Sequence, residues 1–424
     1  MLRTCDQLQA GDKRVPVRVA CWRNLLIIFF LLPLWAPGLL AQGNQDISGK
    51  VPEHAVPRDS TRIKRPVLSM DGYFSGLNSA LFESLSSPFI MEQLLHNRLN
   101  LDLPFSDQVR LTAGIRNRLF TGDMVRAEHD YAVLTARDPG WMDLSWNLLE
   151  EHSFFLNTAF DRLSLDITAG KTEIRIGRQR INWGQTLVWN PNDIFNAYSF
   201  FDVDYPEKPG SDAVRVQYYP SFSSVMELAV SLNRAGEVTA AGLWRFNRKG
   251  YDVQLLGGYA GSRDVVAGTG WSGNIGTISF RGEATLFAPV KKGVPEKTML
   301  LATTGFEKTM KDNSLAIVQL MYCTNPPDLE EFASLYTTTL SARNLAFSEF
   351  TAFGQYTWAA TPLLNMTLAA MWFPDLKGIF TGPSLDFSMA ENVDLSLLWQ
   401  HFSGDFGSGA THINLAFLRF SYSF

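Results

Sequence analysis

Residues 411–424 read Thr411-His412-Ile413-Asn414-Leu415-Ala416-Phe417-Leu418-Arg419-Phe420-Ser421-Tyr422-Ser423-Phe424. Phe424, Tyr422, Phe420, Leu418 and Ala416 share one face of an extended chain. Ser423, Ser421 and Arg419 share the other, with Phe417 as the exception. A period of two with apolar and aromatic side chains on one side is a half-buried β-strand. The pattern runs to the final Phe. An open aromatic edge strand invites aggregation, whereas the last strand of a closed barrel pairs with the first. The expectation is an all-β protein, a transmembrane up-and-down antiparallel β-barrel.

The other end agrees. Arg14, Arg18 and Arg23 precede an apolar run from Leu25 to Leu40, followed by small Ala41, which reads as a secretory signal peptide over residues 1–41. Cys5 and Cys21 leave with it, and Cys323 alone remains, so no disulfide framework is expected. Beyond the signal no apolar run reaches the ~18 residues a membrane helix needs. Yet 46% of the chain is hydrophobic, with 30 Phe, 11 Trp and 12 Tyr. A membrane barrel carries such content on alternate positions, where hydropathy averages near zero. The formal net charge is −5 and becomes about −8 without the signal, which argues against a nucleic-acid partner.

Residues 42–70 are polar, contain Pro52, Pro57 and Pro66, and show no period, as a mobile periplasmic leader would. From Asp71 the chain is a series of strands. In Leu95–Leu103, Leu95, Leu99, Leu101 and Leu103 face one way with Asn97 as the exception, and His96, Arg98, Asn100 and Asp102 face the other. In Val109–Leu119, Val109, Leu111, Ala113, Ile115 and Leu119 oppose Arg110, Thr112, Gly114, Arg116 and Arg118, with Asn117 out of place. One face so charged must meet water, and the other must meet lipid or a core. Tight links at 105–107, 169–171, 220–222, 247–250, 311–313 and 391–392 alternate with long ones at 121–150, 182–210, 289–296, 324–343 and 404–410. That parity suits short periplasmic turns and longer extracellular loops. Counting back from Phe424 gives about 18 strands, with 16 as the next choice. The barrel then occupies residues 71–424 as one domain around an aqueous lumen.

Arg98, Arg110, Arg116, Arg118, Arg162, Arg175 and Arg215 all take the inward parity, interleaved with Asp102, Asp166 and Glu173. Such a wall can bias a pore by charge and size, or it can be a ladder of cross-strand ion pairs that keeps the lumen polar. After Gly177 the alternation breaks, because Arg178 and Arg180 would face lipid; a bulge or an exit from the bilayer would resolve this. The segment 182–210 that follows holds Trp183, Trp189, Phe195, Tyr198, Phe200, Phe201 and Tyr205, together with Asp193, Asp202, Asp204 and Glu207. A loop so aromatic is costly in water. It is expected to fold into the barrel as a constriction, with its carboxylates meeting the arginines. Calcium is the weaker reading of those acids, since their spacing matches no calcium loop. No cofactor or metal is expected.

The runs Gly177-Arg178-Gln179-Arg180-Ile181-Asn182-Trp183-Gly184, then Trp189-Asn190-Pro191-Asn192-Asp193-Ile194-Phe195-Asn196, then Lys208-Pro209-Gly210-Ser211-Asp212-Ala213-Val214-Arg215-Val216, resemble a signature of porin-like outer-membrane barrels, many of them from Bacteroidetes-type bacteria and without an assigned substrate. The C-terminal strand resembles the one by which such barrels are recognised for assembly. These likenesses imply a bacterial outer-membrane channel with an inward loop, having outer-membrane lipid, the barrel-assembly machinery and a small polar solute as partners. The sequence leaves oligomeric state, open or plugged lumen, and import or export unspecified. The alternatives are a plugged structural or adhesive barrel, an export component, and an outer-membrane hydrolase. The last lacks support, because His54, His96, His129, His152, His401 and His412 lie in no nucleophile or metal motif.

Overall fold

The alternating segments pair into antiparallel hairpins in chain order. The computed structural model describes residues 68–203, 207–208, 210–290, 297–326, 341–405 and 410–424. The signal peptide, most of the leader, and Asp204 with Tyr205 lie outside the described residues. The first strands are β1 (Ser69–Phe82), β2 (Ile90–Pro104) and β3 (Val109–Gly122), followed by short helices α1 (Asp123–Ala127) and α2 (Tyr131–Ala136). Then come β4 (Ser145–Glu151), β5 (Phe154–Ala169), β6 (Thr172–Gln179), β7 (Ser211–Ser221), β8 (Ser224–Leu232) and β9 (Val238–Arg248). The middle of the chain supplies β10 (Tyr251–Ala260), β11 (Asp264–Ile275), β12 (Ile278–Pro289), β13 (Met299–Thr309) and β14 (Leu315–Cys323). The last five are β15 (Phe350–Thr361), β16 (Leu364–Phe373), β17 (Gly378–Ala390), β18 (Val393–Asp405) and β19 (Ala410–Ser423).

Each strand of the wall pairs antiparallel with its neighbours, and β1 pairs with both β2 and β19, placing Phe74 opposite Tyr422. The ring passes directly from β3 to β5, so it closes with eighteen strands. β4 is a nineteenth strand whose pairing runs along β5. The expected strand count is therefore met, and the first strand starts at Ser69, within the segment assigned to the leader.

The tight links gather at one end of the barrel. There the chain turns through left-handed residues at Gly170, Lys249, Asn313 and Asn392. The long links gather at the other end, but four connections beside them, at 83–89, 233–237, 261–263 and 374–377, are also short. The outer face carries exposed Leu95, Val214, Leu228, Val318, Leu397 and Phe420. A closed wall with this outer surface belongs in a bilayer.

The two asparagines that broke the alternation are neighbours. Asn97 and Asn117 stand opposite each other, and Asn117 stands opposite Thr158. The Asn117 amide donates to Asn97 Oδ1 at 3.2 Å, and the Thr158 hydroxyl donates to Asn117 Oδ1 at 2.7 Å. Asn97 in turn donates to the Tyr73 carbonyl at 3.2 Å. A polar row on an apolar face is tolerable when its members satisfy one another.

Candidate functional site

Between β6 and β7 the chain turns into the lumen. Ile181, Trp183, Val188, Trp189 and Phe201 are buried against inward residues of the far wall, among them Leu243, Leu301, Ile317, Phe353 and Phe380. Trp183 meets Phe195 edge-on at 5.0 Å, and Phe201 meets both Phe380 and Phe402 at 5.1 Å. The aromatic content of the loop is thus an anchor: it covers the apolar side of the interior, and the tryptophans lie beneath the loop surface. A second inward segment, residues 342–346, adds buried Ala342, Leu345 and Ala346 to the same cluster.

Polar side chains on the strands bolt this loop in place. Glu283 of β12 is fully buried. It accepts the backbone N–H of Thr186 at 2.7 Å and of Asn192 at 3.0 Å, as well as that of Gln185 and the Thr186 hydroxyl. Gln254 of β10 donates to the Trp183 carbonyl at 2.6 Å. Gln319 of β14 accepts the Val188 N–H at 3.0 Å. Glu227 of β8 takes the Trp183 indole N–H while Arg215 holds it with two bonds of 2.8 and 2.9 Å. Sequence reasoning missed Glu283, Gln254, Gln319 and Glu227. Each is one more polar residue at an inward position, and only the loop's return path distinguishes them.

The arginines line the opposite side, on β2, β3 and β5 to β7. Arg98 is buried against Asp161, with Glu207 of the loop at 3.4 Å. Arg110 faces Asp102 at 3.3 Å, and Arg175 pairs with Asp166. Arg118 donates to the Asn157 amide oxygen at 2.9 Å, and Arg162 to the Lys208 carbonyl at 2.6 Å. Arg116 is buried opposite Arg98 in register. Glu173 accepts from the Tyr219 hydroxyl at 3.4 Å. Most of the arginine wall is therefore charge-compensated, Arg162 included, which lies 3.9 Å from Asp161. The loop reaches this wall at its C-terminal end, where the Tyr73 hydroxyl donates to Glu207 at 2.8 Å. Asp202 is exposed.

Asp193 is buried in the loop with Arg180 at 3.3 Å. Arg180 and Lys208 flank the Tyr198 ring, with centroid distances of 5.5 and 3.0 Å. Burial pushes the Asp193 carboxyl up to about 7; Arg180 opposes the rise and the charge of Glu283 adds to it. Burial, then Arg180, pushes Lys208 down to about 8. A raised carboxyl favours the docked loop at acid pH. Its contribution is fully present below the ordinary value of 3.8 and is lost as the pH rises through about 7. Loop docking should therefore tighten as the pH falls from about 7 to 5, a window below the Lys208 value of about 8. Current noise recorded against pH checks this, and Asp193→Asn should flatten the profile. A profile unchanged in that variant would contradict the assignment.

Among the described residues no group of three or more His, Cys, Asp or Glu is placed to hold a metal ion. No family model matches the chain, and no curated protein matches it. The fold is similar to that of several solved structures. OprD from Pseudomonas aeruginosa superposes with a TM-score of 0.55 at 9% identity, covering 84% of this chain and 95% of that one. OccAB2 of Acinetobacter baumannii gives 0.55 at 10% identity, covering 84% and 98%. OccK7 of Pseudomonas aeruginosa gives 0.53 at 8% identity, covering 84% and 98%.

Proposed function

We propose that this chain is a bacterial outer-membrane channel for the passive diffusion of small polar solutes, and not an enzyme. The observation that carries the reading is the division of the lumen. The inward loop covers the apolar side, and arginines with interleaved acids form the side opposite. A wall of fixed charge facing a shaped loop selects by charge and size. The similar fold of OprD, described as an outer membrane protein, supports the location. The sequence motifs add a Bacteroidetes-type resemblance beside these Pseudomonas and Acinetobacter neighbours. Outer-membrane lipid and the assembly machinery, engaged through the C-terminal strand, are the partners this reading implies.

A second reading, a plugged barrel, is favoured by the many bonds that hold the loop. Single-channel recording in a planar bilayer separates the two, using the intact chain and a chain shortened over residues 185–207. Steps in the intact protein support the channel; steps only after shortening support the plug; no steps in either refute conduction.

Replacing Arg116, Arg118 and Arg175 together by Ala should move the reversal potential toward cations. The first two remove positive charge, and loss of Arg175 strips Asp166 of its partner. Under a tenfold salt gradient the full range for a monovalent ion is ~59 mV, and the shift should be a sizeable part of it. An unchanged reversal potential would reject the arginine wall as the selectivity element.

A further inference from the structure

The arginine that broke the alternation lies on the outside of the wall. Arg178 stands opposite Asp212, in step with Ile176 and Val214, which are exposed on the outer face. An ion pair facing hydrocarbon would be costly, yet both side chains are buried. Their cover is the strap of residues 138–144 between α2 and β4.

The wall needs this cover. β6 has 8 residues where β5 has 16, because the chain leaves the wall to enter the lumen. β6 pairs with β5 from Leu163 to Ala169, and β4 takes the same edge from Phe154 to Ala159. The Phe160 N–H continues that ladder to the Leu144 carbonyl at 2.9 Å. On the other side Gly140 bridges to Asn233, and the Arg234 N–H reaches the Pro139 carbonyl at 3.1 Å. The strap thus spans from β5 to the end of β8, above β6 and β7.

At its centre is a buried charge cluster. Arg178 donates to Asp212 Oδ1 at 2.8 Å and Oδ2 at 2.9 Å, to Asp138 Oδ2 at 2.6 Å, and to the Met142 carbonyl at 2.7 Å. Asp138 accepts the N–H of Gly140 at 2.8 Å and of Leu144 at 2.7 Å, and Asp212 accepts that of Met142 at 2.7 Å. Gly140 is packed so closely that a Cβ there would strike Arg178 and Asp212. Arg178 is one residue before the end of β6, and Asp212 is the second residue of β7. The cluster therefore grips both roots of the inward loop from outside the barrel.

We propose that Asp138 is a positioning residue for the channel, acting through Arg178 and Asp212 so that the outer strap sets where the inward loop sits in the lumen. It follows that a change on the outer strap is felt in the passage, although Asp138 does not line it. The role of the loop as a constriction rests on the channel reading; its position does not.

The test measures position directly. Spin labels at Leu187→Cys on the loop and Asp312→Cys on a turn, in a Cys323→Ala background, give a distance distribution for the full-length protein in bilayers. Asp138→Ala should replace one narrow distance by a broad or second population while the barrel stays folded by heat-modifiable electrophoresis. Asp138→Glu should restore much of the narrow peak. Asp143→Asn, which breaks an exposed pair with Arg234 on the same strap, should leave it unchanged. If Asp138→Ala does not fold, Asp138→Asn, which keeps the shape and loses the charge, provides the same readout. A narrow, unmoved distance in folded Asp138→Ala, or in Asp138→Asn where the alanine variant does not fold, would overturn the proposal. Loss of the peak in a barrel that conducts no ions would uphold the positioning role while refuting the channel.

Discussion

Glu283→Ala should raise the single-channel conductance and its noise more than any other single change within the wall. The carboxylate accepts backbone N–H groups from Gln185, Thr186 and Asn192, whereas Gln319 accepts one from the same stretch, that of Val188. Removing it leaves three backbone donors without that acceptor, those of Thr186 and Asn192 buried and that of Gln185 part-buried. Each unpaired buried donor costs about 1–3 kcal/mol. A loss of about 3 kcal/mol changes the docked-to-loosened ratio by roughly a hundredfold. The effect should be local. Trp183, Val188, Trp189 and Phe201 keep their apolar seats, and Gln254 and Gln319 keep their bonds, so residues 184–187 and 190–192 loosen while the loop as a whole stays inside. Glu283→Gln retains an acceptor without the charge and should lie between wild type and Ala. Recordings of the three proteins at one salt concentration settle the order. Equal conductance, together with equal protease resistance of the loop, would show that Glu283 does not hold it.

What the sequence made legible was whatever repeats with period two. Leu95–Leu103 and Val109–Leu119 lie within β2 and β3 because lipid on one side and polar lumen on the other impose the alternation residue by residue. Exceptions to the alternation were visible, but their causes were not. Asn97 and Asn117 needed the register between strands, which brings them together across a hairpin. Arg178 needed Asp138, 40 residues earlier, in a stretch that read only as a long link. That link holds two helices, the strap and β4, and none of these is long enough to show a period. The inward fold of the loop was legible from its cost, since seven aromatic residues cannot remain in water. Its landing site was not: the expected partners of its carboxylates were the wall arginines. Glu207 does lie near Arg98, but Asp193 pairs with Arg180 of the loop itself.

Gly177→Ala should lower the yield of heat-resistant folded barrel and, in the molecules that fold, free the root of the inward loop. Gly177 has φ +116, a conformation that side chains rarely adopt. A Cβ there would strike the carbonyl oxygen of Leu163 on the paired strand. Holding a non-glycine residue in such a region costs about 1–3 kcal/mol before the collision is counted. Gly170, at φ +61 in a tight turn, is the control, because a Cβ there meets nothing within 4 Å. Gly170→Ala carries only the left-handed cost of about 1–2 kcal/mol. Position along the strand makes the difference larger. Beyond Gly177 the strand has only Arg178 and Gln179 before the chain turns inward. A break at Gly177 therefore removes the whole upper ladder of β6 and takes Arg178 out of its bonds with Asp138 and Asp212. A turn that loosens at Gly170 still has Thr172 to Ile176 paired above it. Heat-modifiable electrophoresis and thermal unfolding of both variants decide the matter. Equal losses would mean that the strand tolerates a side chain at Gly177 and that the loop root is held by other contacts.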